Sequence, residues 1–146
     1  MSFQFPLAAV LRYRESIEQR EYFALERIQQ EVVRIELRIC QVEDDCSVAT
    51  QNRLAELAQG ICAAEVQTAY EYQRALEQQS EALRALLQEL KIKWRQYLAS
   101  YELARRNRET LEKLRAKQLE AYVREQGKRE QAVTDDLFLS RRRRGN

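Results

Sequence analysis

Glycine and proline are scarce in this chain of 146 residues, which contains three glycines and one proline. Because tight turns depend on such residues, the scarcity argues against folds with many short elements and predicts a few long ones. Histidine is absent, so the commonest general base and metal ligand is missing. The three cysteines have no CxxC spacing and therefore suggest neither a zinc site nor a disulfide framework. We expect a protein that is not an enzyme and has no cofactor.

Long apolar runs are also missing, since no segment approaches the roughly 18 apolar residues that span a bilayer. We therefore expect a soluble, cytoplasmic protein without a direct membrane span. What the chain does contain is Glu, Arg, Gln, Leu and Ala in abundance, all good helix formers. This composition predicts an all-α fold.

The charge balance bears on nucleic acids. The chain has 25 Lys and Arg residues, which fall to 21, fewer than the 23 Asp and Glu, once Arg141 to Arg144 are removed. A protein that binds nucleic-acid phosphates usually has positive charge spread over one face, whereas here the excess of positive charge lies in the arginine run at one end of the chain. We expect no nucleic-acid partner, and binding of nucleic acid or acidic lipid through the arginine run is the less favoured hypothesis.

Apolar residues recur at alternating steps of three and four along two segments, the pattern of a coiled-coil seam. The first seam comprises Leu25, Ile28, Val32, Ile35, Ile39, Val42, Cys46 and Ala49. The second comprises Cys62, Val66, Ala69, Gln73, Leu76, Ser80, Leu83, Leu87, Leu90, Trp94, Tyr97, Tyr101, Ala104, Arg108 and Leu111. Toward the N-terminus the first frame passes through polar Glu21, Glu18 and Arg14, and a stutter of the heptad pattern at Ala24 would offer an apolar alternative through Ile17 and Val10.

Two successive apolar seams can bury each other if the chain folds back on itself. The sequence therefore predicts an antiparallel coiled-coil hairpin of two long helices, the second of them longer. We expect one rod-like domain over residues 1–146, with helix 1 at about 6–58, a turn near Gly60, helix 2 at about 62–138 and a basic tail at 139–146. Reversal at residue 60 would place Ile28 near Trp94 and Leu7 near Lys113. The C-terminal part of helix 2 would then overhang without a partner.

Two stretches of the chain resemble the flagellar export protein FliJ family. They are "FQFPLAAVLRYRE" at the start and "LEKLRAKQLEAYVREQGKREQAVTDD" near the end. The opening match falls on Phe5, Leu7, Val10, Leu11 and Arg14, and the closing match on Leu111, Leu114, Tyr122 and Asp136. Ala8, Ala9 and the Asp135-Asp136 pair depart from the usual family pattern.

The resemblance implies a stalk-like coiled coil that binds the hexameric export ATPase ring, promotes its assembly and activity, and links it to the export gate membrane protein and to export chaperones. It implies a cytoplasmic location, peripheral at the inner membrane, and we expect a monomer in isolation. The equivalent stalk of an injectisome or rotary ATPase, and a generic structural or dimerising coiled coil, stay open as alternatives.

Three groups of residues are candidate partner-binding sites. The predicted ATPase end comprises Phe5, Leu7, Leu11, Arg14, Arg108, Lys113 and Tyr122. The predicted turn end comprises Tyr70, Tyr72 and Leu76. The predicted overhang site comprises Leu137 and Phe138, which lie between acidic residues and the arginine run.

Overall fold

Two long helices make up the computed structural model, which describes residues 2–145. Helix α1 spans Ala8–Gln59 and helix α2 spans Ala63–Arg144. The helices pack against each other as a hairpin, and the part of the chain that is described contains no strand. The all-α hairpin with a longer second helix is therefore confirmed.

The turn between the helices occupies residues 60–62. Gly60 has φ of 76°, a left-handed conformation that glycine adopts without the penalty a Cβ imposes. Cys62 caps α2, because its carbonyl oxygen accepts hydrogen bonds from the backbone N–H groups of Glu65 and Val66 at 3.1 and 3.2 Å. The Glu65 carboxylate accepts a hydrogen bond from the Cys62 N–H at 3.4 Å, which is the return bond of a capping box.

Helix α2 continues through Arg144 rather than ending near residue 138, so most of the segment expected as a basic tail is helical. Arginine is a good helix former, and four arginines in the last turn interact favourably with the negative end of the helix dipole. Both effects oppose termination at Ser140.

The chain divides into two compact units. Unit 1 consists of residues 1–20 and 102–146, and unit 2 of residues 21–101. In unit 2, the side chains of Ile35, Ile39 and Leu90 form a buried cluster, and Val42 is fully buried. Every member of the first predicted seam is buried or half-buried, so the heptad pattern identified the packed face of α1 there.

Packing in unit 1 joins the N-terminal part of the chain to the C-terminal half of α2. Leu11 and Ala104 are buried, and the rings of Phe3 and Tyr122 lie with their centroids 5.6 Å apart. Beyond Gln126 every described residue is exposed. The overhang of α2 is thus a helix without a covering partner among residues 2–145.

The pairing of the helices differs from the expected alignment. Within unit 2 the ion pairs Glu43–Arg84 and Glu36–Lys91 have residue numbers that sum to 127, and within unit 1 the ion pair Glu18–Arg108 sums to 126. The expectation of about 120, with Leu7 near Lys113, is wrong by about six residues. The turn takes up residues 60–62 and is therefore centred on residue 61, which explains a sum of about 122 and thus only part of the difference.

Candidate partner-binding surfaces

An ion pair lies within the helix interface of unit 1. Arg108 donates a hydrogen bond through Nε to the Glu18 carboxylate and a second one through Nη1 to Glu112 at 2.7 Å. The side chains of Arg108 and Glu18 are only 21% and 16% exposed. The bonds to Glu18, and then those to Glu112, raise the pKa of Arg108 above its ordinary value, so the guanidinium stays charged.

This ion pair explains how Glu18, a polar residue of the first frame, lies in the interface. Glu18 and Arg14 are half-buried, and of the apolar alternative Ile17 is half-buried while Val10 is exposed. A charge can occupy a seam position when a partner across the seam neutralises it. The two frames thus share the interface in this stretch, and the ion pair fixes how the helices of unit 1 align.

Residues of the predicted ATPase end all lie in unit 1 but do not share one environment. Phe5 and Leu11 are buried and therefore contribute to packing rather than to an open surface. Arg108 is engaged by two carboxylates. Leu7, which is 37% exposed, and Lys113, which is exposed, are the members most accessible to a partner.

The remaining two members of this group are intermediate. Arg14 is half-buried, and so is Tyr122, whose ring lies against Phe3. A hollow of about 520 Å³ in the same unit is lined by Phe3, Phe5, Leu11 and Arg115, among others. Arg115, rather than Lys113, thus lies beside the N-terminal segment, in line with the corrected alignment.

At the turn end, the structure separates the three predicted residues. Tyr70 and Tyr72 are exposed, whereas Leu76 is buried. Tyr72 lines a hollow of about 680 Å³ together with Glu56 and Ile61. Leu76 belongs to the second seam by its spacing, and that signal already favoured a place in the core.

Leu137 and Phe138 in the overhang are exposed, as is Leu139. Because successive residues of an α-helix point about 100° apart, these three side chains point to different sides of α2. They do not form one continuous apolar face. Val133 and Leu137, four residues apart, do share a side.

Residues 2–145 contain neither a metal-binding cluster nor a membrane-spanning helix. No group of three or more His, Cys, Asp or Glu side chains is placed to hold a metal ion. Neither helix has a stretch apolar enough to cross a bilayer.

Comparison with known proteins gives one match. A family model described as "Flagellar FliJ protein" matches residues 3–146. No curated protein and no solved structure matches the chain. The family match covers both helices and the turn that joins them.

Proposed function

Because the chain belongs to the flagellar FliJ protein family, we propose that it is a non-enzymatic component of the flagellar type III export apparatus and binds the ring of the export ATPase. The family match over residues 3–146 is the observation that carries this proposal. It favours the flagellar system over an injectisome or a rotary ATP synthase. In this role the protein promotes assembly and activity of the ring.

Unit 1 supplies the ATPase-binding surface in this proposal. Its interior is closed by Phe5 and Leu11, so the surface that the ring meets consists of exposed side chains such as Leu7 and Lys113. Exposed ion pairs are worth about 1 kcal/mol or less each. Contacts of that strength suit a stalk that must be released from one ATPase subunit and bound by the next.

The other candidate surfaces have other partners. Tyr70 and Tyr72, exposed near the turn, are proposed to contact the export gate membrane protein or an export chaperone. Leu137 and Phe138 on the overhang are a second such surface. The protein would then act in the cytoplasm, peripheral at the inner membrane, and be a monomer when alone.

The test is the activity of the purified export ATPase, titrated with the wild-type chain and with Lys113→Glu. The matched control is Lys93→Glu, because Lys93 is an exposed lysine of the same helix in unit 2. We expect Lys113→Glu to raise the concentration for half-maximal stimulation by about two- to fivefold, which corresponds to the free energy of one exposed ion pair. The control should match wild type.

Two results would contradict the proposal. One is that the wild-type chain leaves turnover and ring assembly of the ATPase unchanged. The other is that Lys113→Glu and Lys93→Glu change the stimulation to the same extent. Sedimentation separates the remaining alternative, because a dimerising structural coiled coil would sediment with twice the mass of one chain.

A further inference from the structure

Unit 2 carries an open groove between its two helices, which we call the unit-2 groove. Its α1 wall consists of Gln29, Val32, Val33 and Glu36. Its α2 wall consists of Lys91, Trp94 and Arg95, and its volume is about 330 Å³. A second hollow on α1, lined by Tyr22, Leu25, Glu26 and Gln30, shares Gln29 and Val33 with it. The two form one continuous depression along the side of unit 2.

The spacing of the lining residues has a specific meaning in helix packing. The four α1 residues of the unit-2 groove stand at i, i+3, i+4 and i+7. This is the set that forms a hole for one knob of a facing helix in a coiled coil. On α2, Lys91, Trp94 and Arg95 are the first three members of an equivalent set. The adjoining hollow begins with another such set, from Tyr22 to Gln29.

The groove opens where a ladder of ion pairs stops. Glu43 pairs with Arg84, and one heptad further from the turn Glu36 pairs with Lys91, at 3.6 Å. The next step of seven places Gln29 and Leu98 in the corresponding positions, and these cannot form an ion pair. Ion-paired side chains therefore cover this side of the hairpin between Glu36 and Glu43 of α1 and leave it uncovered around Val33, which is 48% exposed.

The two walls differ in charge. Glu26 and Glu36 lie on the α1 side, whereas Lys91 and Arg95 lie on the α2 side. Glu36 and Lys91 bond each other. Glu26 and Arg95 make no ion pair with any described residue. An occupant that complements both walls must carry opposite charges on its two edges.

We propose that the unit-2 groove binds an amphipathic α-helix of a partner protein as the third helix of a local three-helix coiled coil. The apolar side chains of the partner helix enter the holes around Val33 and Trp94. Basic side chains along one edge face α1, and acidic side chains along the other edge face α2. The proposal concerns unit 2 and does not depend on binding of the ATPase ring by unit 1.

A second copy of this chain fits the groove less well. Its uncovered helical segment is the overhang of α2, where Leu137, Phe138 and Leu139 point to different sides. Its basic residues are concentrated in one run, Arg141 to Arg144, instead of lying along one edge opposite an acidic edge. The charge pattern of the walls therefore favours a different protein.

The probes are three fluorescein-labelled helical peptides of three heptads, about 21 residues each, with alanine at a and leucine at d. The mixed peptide has lysine along one edge and glutamate along the other, and the remaining two have lysine or glutamate on both edges. Fluorescence anisotropy with the full-length chain gives their Kd values. We expect the mixed peptide to bind about fivefold more tightly than either of the others, since one charged edge is then mismatched at a cost of up to one exposed ion pair.

Val33→Glu tests the location, and Val48→Glu is its matched control because Val48 is an equally exposed valine of α1 outside the groove. A carboxylate placed in the apolar hole should weaken binding of the mixed peptide about tenfold or more, since burying an unpaired charge is costly. The control should change it by less than about twofold, as expected of an exposed site. Arg95→Glu makes the α2 wall acidic, so it should weaken binding of the glutamate peptide and strengthen binding of the lysine peptide by about two- to fivefold each.

Several outcomes would overturn the proposal. One is the absence of binding by all three peptides at millimolar concentration, and another is an equal effect of the two valine variants. A third is a dimer in sedimentation that Val33→Glu dissociates and Val48→Glu does not, because the groove would then be occupied by a second copy. None of these measurements involves the ATPase, so failure here is distinct from failure of the proposed stalk function.

Discussion

Replacing Arg108 with methionine tests the role of the interfacial ion pair directly. Methionine keeps an unbranched stem in the seam but removes both hydrogen bonds, to Glu18 and to Glu112. Glu18, whose side chain is 16% exposed, then lies in the interface without its cation. Arg108→Met should therefore destabilise unit 1 although it adds apolar character to the seam.

The size of the effect follows from the degree of burial. Breaking a fully buried pair costs about 3–5 kcal/mol, whereas an exposed pair is worth about 0–1 kcal/mol. With Arg108 at 21% and Glu18 at 16% exposure, we expect an intermediate loss of about 2 kcal/mol. For a chain of this size, that corresponds to a decrease in Tm of about 6 °C.

Thermal and urea unfolding followed by circular dichroism measure this loss. The control is Arg124→Met in the same unit, because Arg124 bonds Glu120 while both side chains are about two-thirds exposed or more. That variant should lose no more than about 0.5 kcal/mol. The double variant Glu18→Leu with Arg108→Leu should recover stability to about the wild-type value or above it, since apolar pairs often replace buried ion pairs without loss.

The reasoning is refuted if Arg108→Met and Arg124→Met have equal effects. It is also refuted if the double leucine variant is as unstable as Arg108→Met, because the loss would then come from packing of the arginine stem. The coupling free energy from the full double-mutant cycle distinguishes these cases.

Three further predictions follow from single residues. Gly60→Ala should lower the free energy of unfolding by about 1 kcal/mol, because φ at residue 60 is 76°. Gly127→Ala, in the interior of α2 with open space at the Cβ position, should raise it by about 0.5–1 kcal/mol. Urea titrations compare the two variants. Gln73→Met should stabilise by up to about 1 kcal/mol in the same assay. It removes a carbonyl oxygen that is buried without a hydrogen-bond partner among residues 2–145, and this gain exceeds the loss of the exposed hydrogen bond that Gln73 Nε2 donates to Glu77 at 3.2 Å. Burial, and to a smaller degree nearby carboxylates, raise the pKa of the Cys46 thiol. At pH 8 iodoacetamide should therefore alkylate Cys46 more slowly than exposed Cys40, and the alkylation rate of Cys46 should increase with pH as the thiolate forms.

The hairpin could be predicted because its determinants are local and periodic. Seam residues such as Ile35 and Ile39 recur at the three- and four-residue steps of a heptad pattern, and every member of the first seam is buried or half-buried. In the second seam Cys62 and Tyr97 are exposed, so the pattern identified that packed face only in part. Gly60 marked the turn because it is the sole glycine between the two seams. These signals can be read without knowing which residue of α1 pairs with which residue of α2.

The alignment of the two helices could not be predicted to the residue. Heptad patterns are nearly unchanged by a shift of seven, and the turn length of residues 60–62 enters the alignment directly. Glu18 and Arg108 carried the missing information, since both are charged residues at seam positions. Pairing Glu18 with Arg108 gives the observed alignment in unit 1.

The candidate surfaces depended on that alignment and were therefore only partly foreseen. Leu11 and Leu76 were assigned to partner binding but are buried, because a sequence motif does not show which of its apolar residues the fold already covers. The unit-2 groove was not anticipated at all. It arises where Gln29 and Leu98 replace a charge pair, and this is visible only after Glu36 has been matched with Lys91.

The hairpin topology also has a consequence for biosynthesis. In unit 1, residues 1–20 pack with residues 102–146, so residues that are synthesised before the rest of the hairpin complete their packing after it. Phe5 and Leu11, which are buried in the finished protein, have no partner until most of α2 has been synthesised. During translation the nascent chain therefore exposes these apolar side chains to chaperones and proteases, while residues 21–101 can close onto themselves earlier.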